Sequence, residues 1–313
     1  MSDASASPPL RIATRKSPLA LWQAEHVAAL LRGAQPGSAV ELLPMTTKGD
    51  RIQDRSLAAI GGKGLFLKEL EAALEDGRAD FAVHSMKDVP SDLPAGLMIG
   101  AVLPRADPLD ALVTNGARTL AQLPRGARLG TASLRRQAQL LAIRPDLRVE
   151  VLRGNVQTRL QRLDSGELDA IILACAGLVR LGLESRISAR LDPQISLPAV
   201  GQGVIGIECR SDHARARAVL HLLEDATTRT EVDAERAFAR RLGGSCQSPI
   251  AAHARIIGDR LTLDGLVAEP DGSRLWRESI TGGVADAERL GHTLAERLLT
   301  AGAAALLERL QSA

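Results

Sequence analysis

Asp80-Phe81-Ala82-Val83-His84-Ser85-Met86-Lys87-Asp88-Val89-Pro90 is the stretch on which the fold turns. Asp80 to Ser85 reads as a strand that runs directly into a polar turn and is stopped at Val89-Pro90. Upstream, Phe66 to Glu75 reads as a helix closed by Gly77, and Val40 to Thr47 and Leu10 to Thr14 read as two more strands. Between those strands Ser17-Pro18 starts a helix that ends at about Arg32, with serine capping free N–H groups and proline in the first turn. Strand and helix alternate, and a β-α-β-α-β order predicts a parallel sheet flanked by helices.

The alternation returns downstream. Strands over 127–131, 148–152 and 170–174 and helices over 134–143, 156–163 and 177–183 predict a second α/β unit. Pro104, Pro108 and Leu197-Pro198-Ala199-Val200-Gly201-Gln202-Gly203 bracket that unit. Val204 to Cys209 is strand-like again, so the chain is expected to cross twice between the units. A helix over Asp233 to Arg241, strands over 251–257, 260–267 and 274–280 with turns at Gly258-Asp259 and Pro270-Asp271-Gly272, and a helix from Ala285 predict a third, α+β unit. A chain of 313 residues is long enough for this, and 45% hydrophobic with 24% charged residues is the balance of a globular protein.

Composition excludes several functions. Aromatic residues make up 2% of the chain and tyrosine is absent, so platforms for stacking single-stranded bases are scarce. A net charge of +2 falls short of the basic footprint of a duplex binder, and no nucleic acid is expected as a partner. Met1 to Pro9 is polar and leads into Leu10 without an apolar signal segment, so a cytoplasmic location is expected. No stretch has the unbroken apolar length of a membrane span, and no membrane partner is expected. The three cysteines, Cys175, Cys209 and Cys246, form no CxxC pair, and the six histidines lack HExxH spacing, so neither a disulfide framework nor a metal site is expected.

In open parallel sheets ligands bind at the carboxyl ends of the strands, and here those ends are polar and cationic. Thr14-Arg15-Lys16-Ser17, Lys87-Asp88, Thr131-Ala132-Ser133-Leu134-Arg135-Arg136 and Arg153-Gly154-Asn155 all follow predicted strands. Some of these positions also open helices, whose free N–H groups and dipole favour anions. The expected ligand carries several carboxylates or phosphates; the alternative is that these arginines are solvated surface charge. Gly61-Gly62-Lys63-Gly64 is not a P-loop, because the earlier glycine and the hydroxyl residue after lysine are missing.

Seven runs together are similar to those of porphobilinogen deaminases, and they stand in that family's order over nearly the whole chain. They are Arg11-Ile12-Ala13-Thr14-Arg15, Gly61-Gly62-Lys63-Gly64-Leu65-Phe66, His84-Ser85-Met86-Lys87-Asp88-Val89-Pro90, Ser133-Leu134-Arg135-Arg136-Gln137, Leu152-Arg153-Gly154-Asn155-Val156, Leu197 to Gly203 and Ser245-Cys246-Gln247. The resemblance implies two α/β domains similar to type II periplasmic binding proteins and a smaller α+β C-terminal domain. Their expected extents are 8–103 with 203–222, 109–198, and 226–313. It implies a transferase that joins four porphobilinogens head to tail, releasing ammonia and hydroxymethylbilane, on a dipyrromethane cofactor held by a thioether to Cys246. It also implies a monomer whose product passes to uroporphyrinogen-III synthase.

Roles follow residue by residue. Loss of ammonia leaves an electrophile whose positive charge lies on the pyrrole nitrogen, and the Asp88 carboxylate is the expected stabiliser and proton acceptor. Its alternative reading is a turn-forming aspartate before Val-Pro. Every substrate ring carries an acetate and a propionate, and arginine pairs bidentately with carboxylate. Arg15, Ser17, Arg153 and Arg159 are assigned to substrate carboxylates, and Lys87, Ser133, Arg135 and Arg136 to the cofactor beside Asp88. Phe66 is expected either to pack on a pyrrole ring or to be a core residue. Lys63 goes with it in the stretch Lys48 to Gly64, a long glycine-bearing loop read as a lid over the cleft between the first two units. Cys246 sits in a small polar loop, whereas Cys175 lies in an apolar run and Cys209 closes a strand, so Cys246 is the expected nucleophile. Two positions depart from the family's common pattern: Ala132 stands where serine is common, and Ser248 where valine often precedes proline. A non-catalytic, two-lobed binder of a polyanionic small molecule is the alternative function; it accounts for the arginines but not for Asp88 and Cys246.

Overall fold

The computed structural model describes residues 8–47, 49, 67–116, 119–244 and 248–312. The first unit opens with β1 (Leu10–Arg15), α1 (Pro18–Ala34), β2 (Val40–Met45), α2 (Lys68–Glu75), β3 (Phe81–Ser85) and β4 (Leu97–Val102). The second holds β5 (Asp110–Thr114), β6 (Arg128–Gly130), α3 (Leu134–Ile143), β7 (Arg148–Glu150), α4 (Val156–Asp164), β8 (Ala170–Ala174), α5 (Cys175–Arg180) and β9 (Ala189–Leu191). The chain then returns through β10 (Ile205–Arg210) and α6 (Ala214–His221) to the first unit. The third unit is α7 (Ala226–Arg241), the hairpin strands β11 (Ile250–Ile257), β12 (Arg260–Ala268) and β13 (Leu275–Gly283), and helices α8 (Ala287–Leu298) and α9 (Ala304–Ser312).

Three sheets result, ordered β2-β1-β3-β10-β4, β7-β6-β8-β5-β9 and β11-β12-β13. β1 pairs in parallel with β2 and β3, and β6 pairs in parallel with β7 and β8, as the alternating pattern predicts. The first two sheets also contain antiparallel strands beside this parallel part, so each is mixed. β10 runs antiparallel to both β3 and β4, and β5 runs antiparallel to both β8 and β9. The reason is topological: β5 and β10 each follow a crossing from the other unit, so neither is preceded by a local crossover helix that would turn it parallel.

Other differences are local. α7 begins seven residues before the expected Asp233, because Asp225 caps it by accepting from the Thr228 amide and overrides the weak helix preference of the threonines that follow. α5 begins at Cys175 rather than Gly177. β4, β5, β9, α6 and α9 had no expectation attached to them. α1 matches its reading: Ser17 accepts from the Ala20 amide, Pro18 occupies the first turn, and Ala24, Val27, Ala28 and Leu31 form one buried stripe. That stripe packs on Leu10, Ile12 and Phe81 of the first sheet.

The two crossings run side by side and are gripped by the third unit. Arg105, in the first crossing, donates to the carbonyl of Gln202 in the second (3.1 Å), to Glu231 (3.1 Å) and to Glu235 (2.9 Å). Glu235, fully buried on α7, also accepts from the amides of Gly201 (2.7 Å) and Ala254 (2.8 Å). The crossings touch closely enough to require glycine. Gly203 has φ +87, and a Cβ there would lie 2.5 Å from the carbonyl oxygen of Ala106.

Behind the first sheet lies a buried acidic pair. His84 Nε2 is 2.9 Å from Glu208 Oε2, and Glu71 of α2 is also buried, with Lys68 and Glu75 nearby. Burial, and then the charge of Glu208, push the Glu71 carboxyl up to about 7. The folded chain therefore holds this proton more tightly than the unfolded chain between the ordinary glutamate range and neutrality, so stability falls as pH rises through that window. Glu71→Gln should stabilise the protein by roughly 1–3 kcal/mol at about pH 8 and change little at about pH 5, measured by thermal unfolding at both values. A Glu71→Gln variant no more stable than the parent at the higher pH would show that the ionised carboxylate is not strained.

Candidate active site

The carboxyl ends of β1 and β3 set the first side of the site. Arg15 ends β1, and behind it the buried Thr14 hydroxyl donates to the Ala20 carbonyl at 3.1 Å, tying the strand end to α1. β3 passes into one turn of 3-10 helix, Met86–Asp88. Met86 is buried there, its amide donates to Val204 in the return crossing, and Lys87 and Asp88 stand half-buried above the sheet. Anchoring one residue of a tight turn in the core fixes where its neighbours point.

The second unit supplies the other side. Ser133 caps α3 by accepting from the Arg136 amide, and Asn155 caps α4 by accepting from the Thr158 amide at 2.9 Å. Arg135 and Arg136 lie in the first turn of α3, only 4% and 6% exposed. Both guanidiniums meet Asp110, which opens β5 and is fully buried. Arg135 also donates to the Leu197 carbonyl (2.6 Å) and Arg136 to that of Ile172 (2.9 Å). The two arginines hold the Asp110 carboxyl far below the usual range against the opposing effect of burial. Arg159, in the second turn of α4, donates from Nε to the Gly154 carbonyl at 2.9 Å, beside Arg153.

Electrostatics show that the two sides face each other. Burial pushes the Arg159 guanidinium down to about 10, and the charges of Arg136, Arg153 and Arg15 act in the same direction while Asp88 opposes them. Burial likewise pushes the Lys87 ammonium down to about 8, with Arg136 and Arg135 lowering it further and Asp88 and Asp110 raising it. Residues of the first unit, Arg15, Lys87 and Asp88, thus share one field with Arg135, Arg136, Arg153 and Arg159 of the second. Of these charges and Asp110, six are cationic and two anionic. A cleft that concentrates like charge in this way favours a polyanionic ligand.

Ser17 and Ser133 both act as helix caps, and a hydroxyl that accepts as a cap still has its own O–H to donate. Cys246, Lys63, Phe66 and the stretch from 50 to 64 lie outside the described residues. Cys175 and Cys209 are buried, and burial pushes their thiols up to about 12 and about 11, the condition of inert core cysteines. Ala132, the first departure from the family pattern, is exposed. Sequence reasoning missed Asp110 and its neighbours Ser196 and Gln202. The available signal was an acid opening the apolar run Leu109-Asp110-Ala111-Leu112-Val113, since a carboxylate there must find a cation.

The family profile described as "porphobilinogen deaminase, dipyromethane cofactor binding domain" matches residues 10–218, and the profile described as "porphobilinogen deaminase, C-terminal domain" matches residues 229–300. A curated porphobilinogen deaminase from Xanthomonas euvesicatoria pv. vesicatoria is 58% identical over 301 residues, 96% of this chain and 99% of that one. The chain belongs to the porphobilinogen deaminase family. It carries that family's cofactor-binding domain across both α/β units and its C-terminal domain across the third. A purely two-lobed binder has no counterpart to the latter, so the non-catalytic reading is set aside. Among solved structures, a double mutant of the Bordetella pertussis BvgS VFT2 domain aligns with 69% of this chain and 86% of its own at 18% identity and a TM-score of 0.45. The methionine binding protein MetQ aligns with 70% of this chain and 91% of its own at 13% identity and a TM-score of 0.46. These likenesses concern the fold alone. Among the described residues no helix is long and apolar enough to cross a membrane.

The field acting on Lys87 is testable. Competitive amine labelling followed by mass spectrometry should place the midpoint of Lys87 reactivity near pH 8, and Asp88→Asn, by deleting a charge that holds the ammonium up, should lower that midpoint. A midpoint unmoved by Asp88→Asn would separate the two side chains electrostatically.

Proposed function

We propose that this protein condenses four porphobilinogens head to tail, with release of ammonia, in the cleft between its first two units, and that Asp88 is its catalytic residue. The observation that carries the reading is the Asp88 carboxylate set among Arg15, Lys87, Arg136, Arg153 and Arg159, where the carboxyl ends of β1 and β3 face the starts of α3 and α4. The donor set fits a dipyrromethane, because each of its rings bears an acetate and a propionate and the cleft holds more cations than anions. When bound, that cofactor would supply the free pyrrole α-carbon to which the first unit is joined, and each later unit would join the terminal ring of the growing chain.

The chain's own residues do the rest. Arg15, Ser17, Arg153 and Arg159 bind and orient substrate carboxylates, and Lys87, Ser133, Arg135 and Arg136 bind those of the cofactor. Asp88 would hold its carboxylate toward a bound pyrrole N–H, offset the positive charge that develops as ammonia leaves, and accept the proton that must depart. Cys246 provides the thioether sulfur; the inert state of Cys175 and Cys209 supports that choice. Phe66 and Lys63 belong to the same proposal as contacts to the growing chain. The corresponding division of the chain is 8–103 with 203–222, 109–198 and 226–313, supported by the membership of the three sheets. A monomer in the cytoplasm that passes its product to uroporphyrinogen-III synthase completes the reading.

Two experiments test it. The purified protein should carry a covalent adduct by intact mass, and Cys246→Ser should abolish both adduct and turnover; an adduct mapped to Cys175 or Cys209 would reassign the attachment. Asp88→Asn should keep the fold and at least part of the adduct while lowering turnover by about 10²–10⁴. Near-normal turnover in fully loaded Asp88→Asn would remove Asp88 from the chemistry.

A further inference from the structure

Asp110 is fully buried and accepts six hydrogen bonds. Oδ2 accepts from Arg135 Nη1 (2.8 Å) and from the Ser196 hydroxyl (2.7 Å). Oδ1 accepts from Arg135 Nη2 (3.2 Å), from Arg136 Nε (3.0 Å) and Nη2 (2.7 Å), and from Gln202 Nε2 (3.1 Å). Two kinds of partner therefore converge on one carboxylate. The arginines belong to the start of α3, whereas Ser196 and Gln202 belong to the segment in which the chain returns to the first unit.

Charge makes the arrangement consequential. Two buried guanidiniums against one buried carboxylate leave a single formal positive charge, aimed by fixed bidentate geometry. Remove the carboxylate, and the same small volume holds two positive charges near Lys87 and Arg159, with one carbonyl each, of Leu197 and Ile172, left to hold the guanidiniums in place of the bidentate carboxylate. Such a pair would still attract an anion, but would no longer receive it in one pose.

We infer that Asp110 is a positioning residue: it sets the net charge and orientation of the Arg135–Arg136 pair for a ligand carboxylate, and through Ser196 and Gln202 it ties that pair to the return crossing. The inference rests on the reading of the two arginines as receivers of cofactor carboxylates. Asp110 acts through them and touches no reacting atom.

The test follows cofactor loading by intact mass when protein purified without adduct is incubated with porphobilinogen, together with thermal unfolding and the split between kcat and KM in the loaded fraction. Asp110→Asn should fold with a lower melting temperature, load at least about tenfold more slowly per folded molecule, and show its loss mainly in KM once loaded. Ser196→Ala is the gentler variant should Asp110→Asn fail to fold; it keeps all charges and should slow loading by about threefold to tenfold. Formate added to Asp110→Ala should restore loading in a saturable way, since it returns one carboxylate to the arginines, and should not accelerate the parent protein. Parental loading and KM in folded Asp110→Asn, or in Ser196→Ala where the former does not fold, would overturn the inference. So would loading losses that only track the folded fraction and ignore formate. Arg136→Leu separates this outcome from failure of the underlying reading: normal loading by that variant would show that the arginine pair does not receive the ligand at all.

Discussion

Arg105 and Glu235 meet at 2.9 Å where the three units join, and much else depends on that contact. Both groups are buried, and an ion pair out of water stabilises only when its remaining donors and acceptors are satisfied. Here they are, by Glu231, by the Gln202 carbonyl and by the amides of Gly201 and Ala254. One pair of side chains thus fastens the first crossing, the second crossing and the hairpin sheet of the third unit together. The facing strand ends that make up the cleft are held at their distance from behind, by groups that do not themselves line it.

The second constraint is the cost of gathering like charge. Burial first, and then neighbouring arginines, lower the affinity of Lys87 and Arg159 for their protons: Arg136 and Arg135 act on Lys87, and Arg136, Arg153 and Arg15 on Arg159. The fold carries this strain on rigid supports: a core-anchored turn beneath Asp88, helix caps beneath Arg136 and Arg159, and a buried carboxylate between Arg135 and Arg136. A site whose own charges repel is relieved by a polyanionic ligand, so binding energy is stored in the protein before the ligand arrives.

Much of this was legible in the residues. Ser17-Pro18, Ser133 and Asn155 are local signals, and each caps the helix expected of it. β1 and β3 were readable because each is a short run that leads into polar residues, and β8 because its apolar run follows Asp169. β10 was legible as a strand and β5 was not, and the direction of both depends on where the chain has come from, which no local pattern records. The start of α7 was hidden by threonines whose weak propensity Asp225 overcomes. In the site, the cationic strand ends were visible one by one, but the tie between Arg136 and Asp110 spans 26 residues and the whole of β6. A lone acid in an apolar run says that a partner must exist without naming it. Cys246 and Phe66 were singled out by residue type and setting; they fall outside the described residues, so their geometry adds nothing to that reading.

Two crossings rather than one join the first two units, and they lie side by side, with Gly203 against Ala106. A single linker is a ball joint that leaves three rotations open. Two oppositely directed stretches of backbone, bonded to each other through the Ala106 amide and the Gly203 carbonyl, resist twisting and sliding. Such a pair of connections leaves the two units fewer ways to turn against one another than a single linker would.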